Sequence, residues 1–432
     1  MPVASTTTGE AVNWRDALIA EWQAREQQSR ADLPLFPLIA QGFDAREIVA
    51  AVETLMTGRI TMGDSVRAFE DALARHLGVP YAVMVNSGSS ANLLAVAVMG
   101  NPARQRHLKP GDEVLVPAVC WPTSVWPIVQ LGYRPVFVDV DPATLNISIE
   151  DLRRRITPLS RAIVAVHILG NSVNTEALQA VAQEHDLFLL EDTCESLGSE
   201  SYGRPLGTLG DLGTFSFYYS HHITTGEGGA VVCHTQEDAD LLRCLRAHGW
   251  SRDLSNRRQV EAEHADIDSR FLFVNTGFNV RPLEIQAAFG LQQLERLPSM
   301  NATRNRNLAR LHAALQAHQR WTGQFSFPAA SPGTIPAWFG SPFLLNASLA
   351  SQKRDYLGYL GANGVETRPI VSGNFIRQPA LALLGFDLDP AAYPGAEEID
   401  RRGFFIGVHT EPLADAKIER LADIIQGYDA GA

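Results

Sequence analysis

Apolar residues recur along this chain in two rhythms that exchange regularly from residue 45 onward. Short runs at 81–85, 113–116, 135–140, 161–166 and 187–191 are rich in Val, Ile, Leu and Phe and read as strands. Between several of them lie helical stretches, such as 91–99, 149–155 and 175–184. Strands alternating with helices predict an α/β fold: a mostly parallel sheet covered on both faces. Two further strands are predicted at 215–218 and 229–233, and a long helix near 282–297. The pattern then changes, with a helix at 301–318 and strands at 339–345 and 364–370 that predict a smaller α+β unit. Residues before 45 are polar, with one helical stretch at 14–30 and then Pro34 and Pro37, and read as an arm. The expected division is therefore an arm at 1–44, a large domain at 45–297 and a small C-terminal domain at 298–432. There is no internal repeat.

Composition narrows the function. A chain of 432 residues with 45% hydrophobic content can bury a large core. Its net charge of −12 offers no basic stripe, so no nucleic-acid partner is expected. No apolar run approaches the ~18 residues that span a bilayer. The N-terminus lacks a basic stretch leading into an apolar one, so a cytoplasmic, membrane-free protein is expected. Cys120, Cys194, Cys233 and Cys244 form no CxxC pair and no metal-ligand spacing, and read as free thiols. Only three lysines occur, Lys109, Lys353 and Lys417.

Three segments carry candidate chemistry. Asn86-Ser-Gly-Ser-Ser-Ala-Asn92 follows a strand and opens a helix, where small residues expose N–H groups and hydroxyls suited to a phosphate. Taken alone, such a segment is more often just a helix cap. Glu191-Asp-Thr-Cys-Glu-Ser196 ends another strand and sets Asp192 at the sheet's C-terminal edge. There it could meet a protonated pyridine nitrogen or merely cap a helix. Gly213–Gly229 is the third, with Ser-Phe-Tyr-Tyr-Ser-His-His at 216–222.

In this order and at these separations the three segments resemble the sugar aminotransferase/dehydratase family of fold-type I PLP (pyridoxal 5'-phosphate) enzymes, over roughly residues 45–430. Val116-Pro-Ala-Val-Cys-Trp121, Leu245-Arg-Ala-His-Gly-Trp250, Gly277-Phe-Asn-Val-Arg-Pro-Leu-Glu284 and Arg368-Pro-Ile-Val-Ser-Gly-Asn-Phe375 extend the likeness. Where the family's cofactor loop carries its lysine, this chain has His221, as in the family's histidine branch. Imidazole moves protons but cannot form the imine by which lysine holds PLP.

The resemblance implies an aspartate aminotransferase-like large domain that binds PLP, or its pyridoxamine form PMP, without a covalent link. Gly88, Ser89, Ser90 and Ser216 would hold the cofactor phosphate, with Asn279 from a partner subunit. Trp121 would stack on the ring, Asp192 pair with its nitrogen and Glu195 lie near its phenolic oxygen. His221 is implied as the base, with Ser220 beside it and His222 structural. His248, Arg252, Arg281 and Arg368 are the implied binders of substrate or glutamate carboxylate. The implied activity is C3 dehydration of a nucleotide-linked 4-keto-6-deoxyhexose, GDP-4-keto-6-deoxy-D-mannose first, with L-glutamate as amino donor. A homodimer with shared sites, working in deoxysugar biosynthesis, is implied as well. A reductive variant of the branch uses an iron–sulfur cluster, which needs about four thiolates or histidines in part. Residues 250–274 contain no cysteine and only His264, so no cluster is expected. A nucleotide-sugar aminotransferase would need a lysine near the loop, and a non-catalytic regulator would have no use for Asp192, Ser216, Trp121 and Asn279 together.

Overall fold

A computed structural model describes residues 13–31, 33–40 and 42–429; residues 1–12 of the expected arm and 430–432 of the expected small domain lie outside them. Seven strands form the central sheet: β1 (Tyr81–Val85), β2 (Glu113–Pro117), β3 (Arg134–Val138), β4 (Ser160–Val166), β5 (Phe188–Asp192), β6 (Leu212–Ser216) and β7 (Gly229–Cys233). Their order is β1-β7-β6-β5-β4-β2-β3. Only β7 runs against its neighbours; the other strands are parallel.

Side chains alternate across a strand, and both faces of the sheet are apolar. On one face Val83, Val85, Val114 and Val164 pack against α4 (Gly88–Met99), α5 (Pro122–Gln130) and α8 (Gln236–Arg246). On the other, Ala82 and Met84 meet α3 (Asp64–Leu77) and α10 (Glu284–Ala317). On that same face Leu115, Ile163 and Leu189 meet α6 (Ile149–Arg155) and α7 (Thr175–Glu184). The remaining helices before α10 are α1 (Trp14–Ala31), α2 (Ala45–Met56) and the short α9 (Arg257–Glu263).

Three elements depart from the expectation. The strand expected at 215–218 is β6, Leu212–Ser216; Phe217 leaves the ladder, although its N–H still reaches Gly228 O at 2.8 Å. The helices expected at 282–297 and 301–318 are one helix, α10, with Pro298 inside it. Proline removes one hydrogen bond, but Leu294 and Leu297 pack on the sheet while Leu308, Leu311 and Leu315 are buried further along, and that packing carries the helix through. The strand expected at 364–370 is only Thr367–Arg368.

Beyond α10 lies a second, antiparallel sheet: β8 (Phe325–Ser326), β9 (Gly340–Leu345), β10 (Thr367–Arg368) and β11 (Gly403–Gly407), in the order β8-β9-β11-β10. Its core joins Leu311, Leu315, Phe343, Phe404 and Ile406. The segment after α1 is a strap across this unit. Phe36 bridges Val365 and stacks on His409 at 4.3 Å, and Phe43 lies between Trp22 and Tyr219.

Candidate active site

The site forms where β1, β6 and β5 end on the same edge of the sheet. β1 runs into Ser87, which caps α4: its Oγ accepts from the Ser90 N–H at 3.1 Å, and Ser90 Oγ donates to Asn86 Oδ1 at 2.6 Å. The cap leaves the Gly88 and Ser89 N–H groups at the positive end of the helix for a ligand. β6 delivers Ser216 against this turn. A Cβ on Gly88 would lie 2.5 Å from Ser216 Cβ, and one on Gly229 would collide with Ser87 O. Two glycines therefore let three backbone segments close on one another beside the exposed N–H groups of the helix.

β5 ends in Glu191 and Asp192, which alternation sends to opposite faces. Glu191 is buried with His167, 3.1 Å away, and accepts from Gly207, Leu209 and Gly210 N–H; it anchors a loop rather than the site. Asp192 is buried on the site side. Its Oδ2 accepts from Asn92 Nδ2 at 2.8 Å and Ser124 Oγ at 2.7 Å, and Thr214 Oγ1 donates to Asn92 Oδ1 at 2.6 Å. Residues from α4, α5 and β6 thus aim one carboxylate. Neither Asn92, Ser124 nor Thr214 carries a role in the sequence motifs, although Asn92 is the lone amide inside the apolar α4.

The turn after β6 brings His221 back to this edge. Its N–H bonds Tyr218 O at 2.9 Å, and Nδ1 lies 2.7 Å from Cys194 O. A carbonyl only accepts, so Nδ1 carries the proton and Nε2 keeps its lone pair. The ring is half-buried, packed by Tyr218 and Phe339. Burial pushes its pKa below the usual histidine value, against the pull of Cys194 O and Asp192. Glu195 accepts from the Leu169 N–H at 3.0 Å, and burial raises its pKa to about 7, helped by nearby Asp192. His222 is buried, with Nε2 donating to Ala337 O at 2.7 Å, in a structural setting.

The remaining candidates are placed less tightly. The Trp121 ring, at the N-cap of α5, is 56% exposed. His248 is exposed and holds a positive φ of 65°, unusual for a residue with a side chain. The Arg252 guanidinium lies 3.9 Å above the Trp250 ring. Arg281 donates to Asn279 Oδ1 at 3.0 Å, and the Asn86 N–H bonds Val280 O, so this segment borders the phosphate turn. Arg368 is exposed on β10. Among the described residues no hydrogen bond ties Arg252, Arg281 or Arg368 to His221 or Asp192. The donor set that does converge fits a phosphorylated pyridine: a helix N-terminus for the phosphate and a carboxylate for the ring nitrogen.

A family model described as the DegT/DnrJ/EryC1/StrS aminotransferase family matches residues 42–426. A GDP-4-keto-6-deoxy-D-mannose 3-dehydratase of Yersinia pseudotuberculosis is 38% identical over 399 residues, covering 90% of this chain and 98% of its own. A dTDP-4-dehydro-2,6-dideoxy-D-glucose 3-dehydratase of Saccharopolyspora spinosa is 33% identical over 444 residues, 98% of this chain and 94% of its own. A solved structure of GDP-4-keto-6-deoxymannose-3-dehydratase with a trapped PLP-glutamate geminal diamine aligns with a TM-score of 0.82 at 36% identity, over 90% of this chain and 100% of that one.

Proposed function

The chain belongs to the DegT/DnrJ/EryC1/StrS aminotransferase family, and from that premise we propose that it is a PLP-dependent nucleotide-sugar 3-dehydratase. Its fold is that of the fold-type I PLP enzymes. The substrate is GDP-4-keto-6-deoxy-D-mannose, the amino donor is L-glutamate, and the place of the reaction is deoxysugar biosynthesis. The observation that carries the reading is His221, a proton carrier where an amine would hold the cofactor. The three lysines lie elsewhere: Lys109 is exposed before β2, Lys353 Nζ bonds Asp400 O at 2.7 Å, and Lys417 lies over Phe36.

When bound, PLP supplies the electron sink that lets bonds to the amino-acid Cα and to sugar C3 break heterolytically. The Gly88 and Ser89 N–H groups with Ser90 and Ser216 would hold the phosphate, and Trp121 would cover the ring. Asp192, aimed by Asn92 and Ser124, receives the ring N–H. His221 Nε2 would take the proton from glutamate Cα and pass it on to the bound cofactor, which returns the imidazole to its neutral form. In the sugar half the same nitrogen would carry a proton to the departing C3 hydroxyl, which leaves as water. Across both halves, glutamate and the sugar become 2-oxoglutarate, ammonia and a 3-deoxy-4-keto sugar. Imidazole cannot form the imine with the cofactor by which a lysine could displace a stable amino sugar. Ser220 would assist the base from beside it, Glu195 would hold a proton near the phenolic oxygen, and His248, Arg252, Arg281 and Arg368 would receive the substrate's anionic groups.

The working form in this reading is a homodimer with shared sites. Asn279 is exposed, bonded within its chain to Arg281, and a second copy would carry it to the phosphate. Exposed Ile60 and Leu283 beside it offer apolar contact area. The division at residues 44 and 297 belongs to the same proposal, with α10 shared across the second boundary. Four free cysteines suit a reducing compartment, hence the cytoplasm. No described helix is long and apolar enough to cross a membrane.

The experiment is product analysis. Protein loaded with PLP and glutamate is offered GDP-, CDP- and dTDP-linked 4-keto-6-deoxy sugars. The GDP sugar should yield ammonia and a 3-deoxy-4-keto product. A stable 4-amino sugar from any of them would overturn the dehydratase reading; preference for the dTDP sugar would transfer the substrate to the second relative's class.

A further inference from the structure

Behind the His221 turn lies a small cavity of about 30 Å³, room for one or two waters. The strap, the cofactor loop, α10 and the segment after β11 wall it, and His221, His222, His409 and Arg304 stand in its lining. Arg304 is the unusual member. It is 8% exposed, yet among the described residues it makes no ion pair with a carboxylate. A buried charge is costly unless compensated. Its donors instead go to neutral oxygens: Nη1 to Asn301 Oδ1 at 2.9 Å and Nη2 to His222 O at 3.2 Å. Burial lowers its pKa to about 10, so it remains a cation at neutral pH. His222 beside it is 2% exposed, and with Nε2 bound to Ala337 O its Nδ1 has no protein partner.

We propose that Arg304 is a positioning residue for the catalytic base: from α10 it fixes the backbone of the His221–His222 turn and supplies the buried positive charge that keeps His221 unprotonated and ready to accept a proton. The inference rests on the reading of His221 as that base. His221 is faced by Asp192, Glu195 and Cys194 from the end of β5 and by Tyr218 and His222 on its own turn. Arg304 faces it from α10, and His409 lies across the cavity. The Asp192 carboxylate favours imidazolium, and Arg304 opposes it. Burial is the larger cause of the lowered His221 pKa, and the Arg304 charge adds to it. Asn301, which also donates to Leu197 O at 3.1 Å, holds the guanidinium from the same helix.

Two substitutions separate charge from contact. Arg304→Gln keeps a donor for His222 O without the charge; Arg304→Lys keeps the charge. The histidine Cε1–H signals of the PLP-free protein are titrated by NMR, with His221 assigned by its loss in His221→Asn. In Arg304→Gln the His221 midpoint should move up in pH, and the acid limb of kcat/KM in the loaded enzyme should move the same way. Arg304→Lys should restore both toward wild type, and Asn301→Ala, which leaves the charge, should leave the midpoint in place. An unmoved midpoint in Arg304→Gln, or a lysine variant displaced as far as the glutamine one, would overturn the inference. If His221→Asn kept full turnover, the base reading would fail, while the titration in the PLP-free protein would still decide the claim about Arg304.

Discussion

At the residue scale, the proton on His221 has its place because Cys194 O can only accept it, which leaves Nε2 with its lone pair, the proton acceptor of the proposed reaction. No lysine stands near that nitrogen, so borohydride treatment of the PLP-loaded protein should leave no pyridoxyl-lysine. A labelled peptide containing Lys109, Lys353 or Lys417 would contradict the non-covalent account. Glu195 gives a second prediction, readable in stability. Its folded pKa of about 7 lies above the ordinary 4.5, so the folded state holds a proton that the unfolded state has lost. Stability therefore falls as pH rises from about 4.5 to 7 and stays lower above that, with a ceiling of about 3 kcal/mol. Glu195→Gln keeps an acceptor for the Leu169 N–H and removes the titration. The melting temperature of the PLP-free variant should gain on wild type at pH 8 relative to pH 5.5; an equal difference at both pH values would contradict this.

At the element scale, the cradle depends on β6 and α4 approaching without side chains between them. Gly88→Ala would press a methyl onto Ser216, an overpacking of about 1–3 kcal/mol that should weaken PLP binding roughly tenfold or more. Fluorescence titration with PLP checks it, and unchanged affinity would remove the cradle from the phosphate site. Elements set by local signals were legible in the sequence. β1, β7, α6 and α7 have the expected bounds, because a short β-rich run or a capped amphipathic turn is complete within itself. Elements set by distant packing were not. The pattern divides 282–297 from 301–318, and the helix is seen to be continuous only when Leu294, Leu297, Leu308 and Leu311 are found buried on either side of Pro298. The aromatic run 215–218 hides that the β6 ladder ends at Ser216. The site divides the same way. Gly88, Asp192, Ser216 and His221 carry their roles within contiguous motifs, whereas Asn92, at the end of the first motif, and Ser124 and Arg304, outside all three, gain theirs only when elements remote in sequence fold against them.

At the scale of the whole molecule, the strap and α10 tie the small sheet to the cofactor loop: Phe43 to Tyr219, Arg304 to His222 O, and Asn307 Nδ2 to His409 O at 3.0 Å. A shared-site dimer makes a statistical prediction. Mixing His221→Asn protein with Asn279→Ala protein in equal amounts and allowing exchange should give about a quarter of wild-type activity, since half the dimers are hybrids with one intact site. No recovery, in a mixture shown to exchange subunits, would place both residues in one subunit's site.

The central claim, that a histidine does the proton work of the missing lysine, is tested most directly by the glutamate half of the reaction. Glutamate is added to PLP-loaded protein, and conversion to the PMP form is followed by absorbance in wild type and in His221→Asn. Wild type should convert fully. His221→Asn should bind PLP equally well and convert about 10²–10⁴-fold more slowly, the range that a general acid–base group supplies. Conversion of His221→Asn at near wild-type speed would contradict the account and pass the role to another base, with His222 and His248 the first to examine.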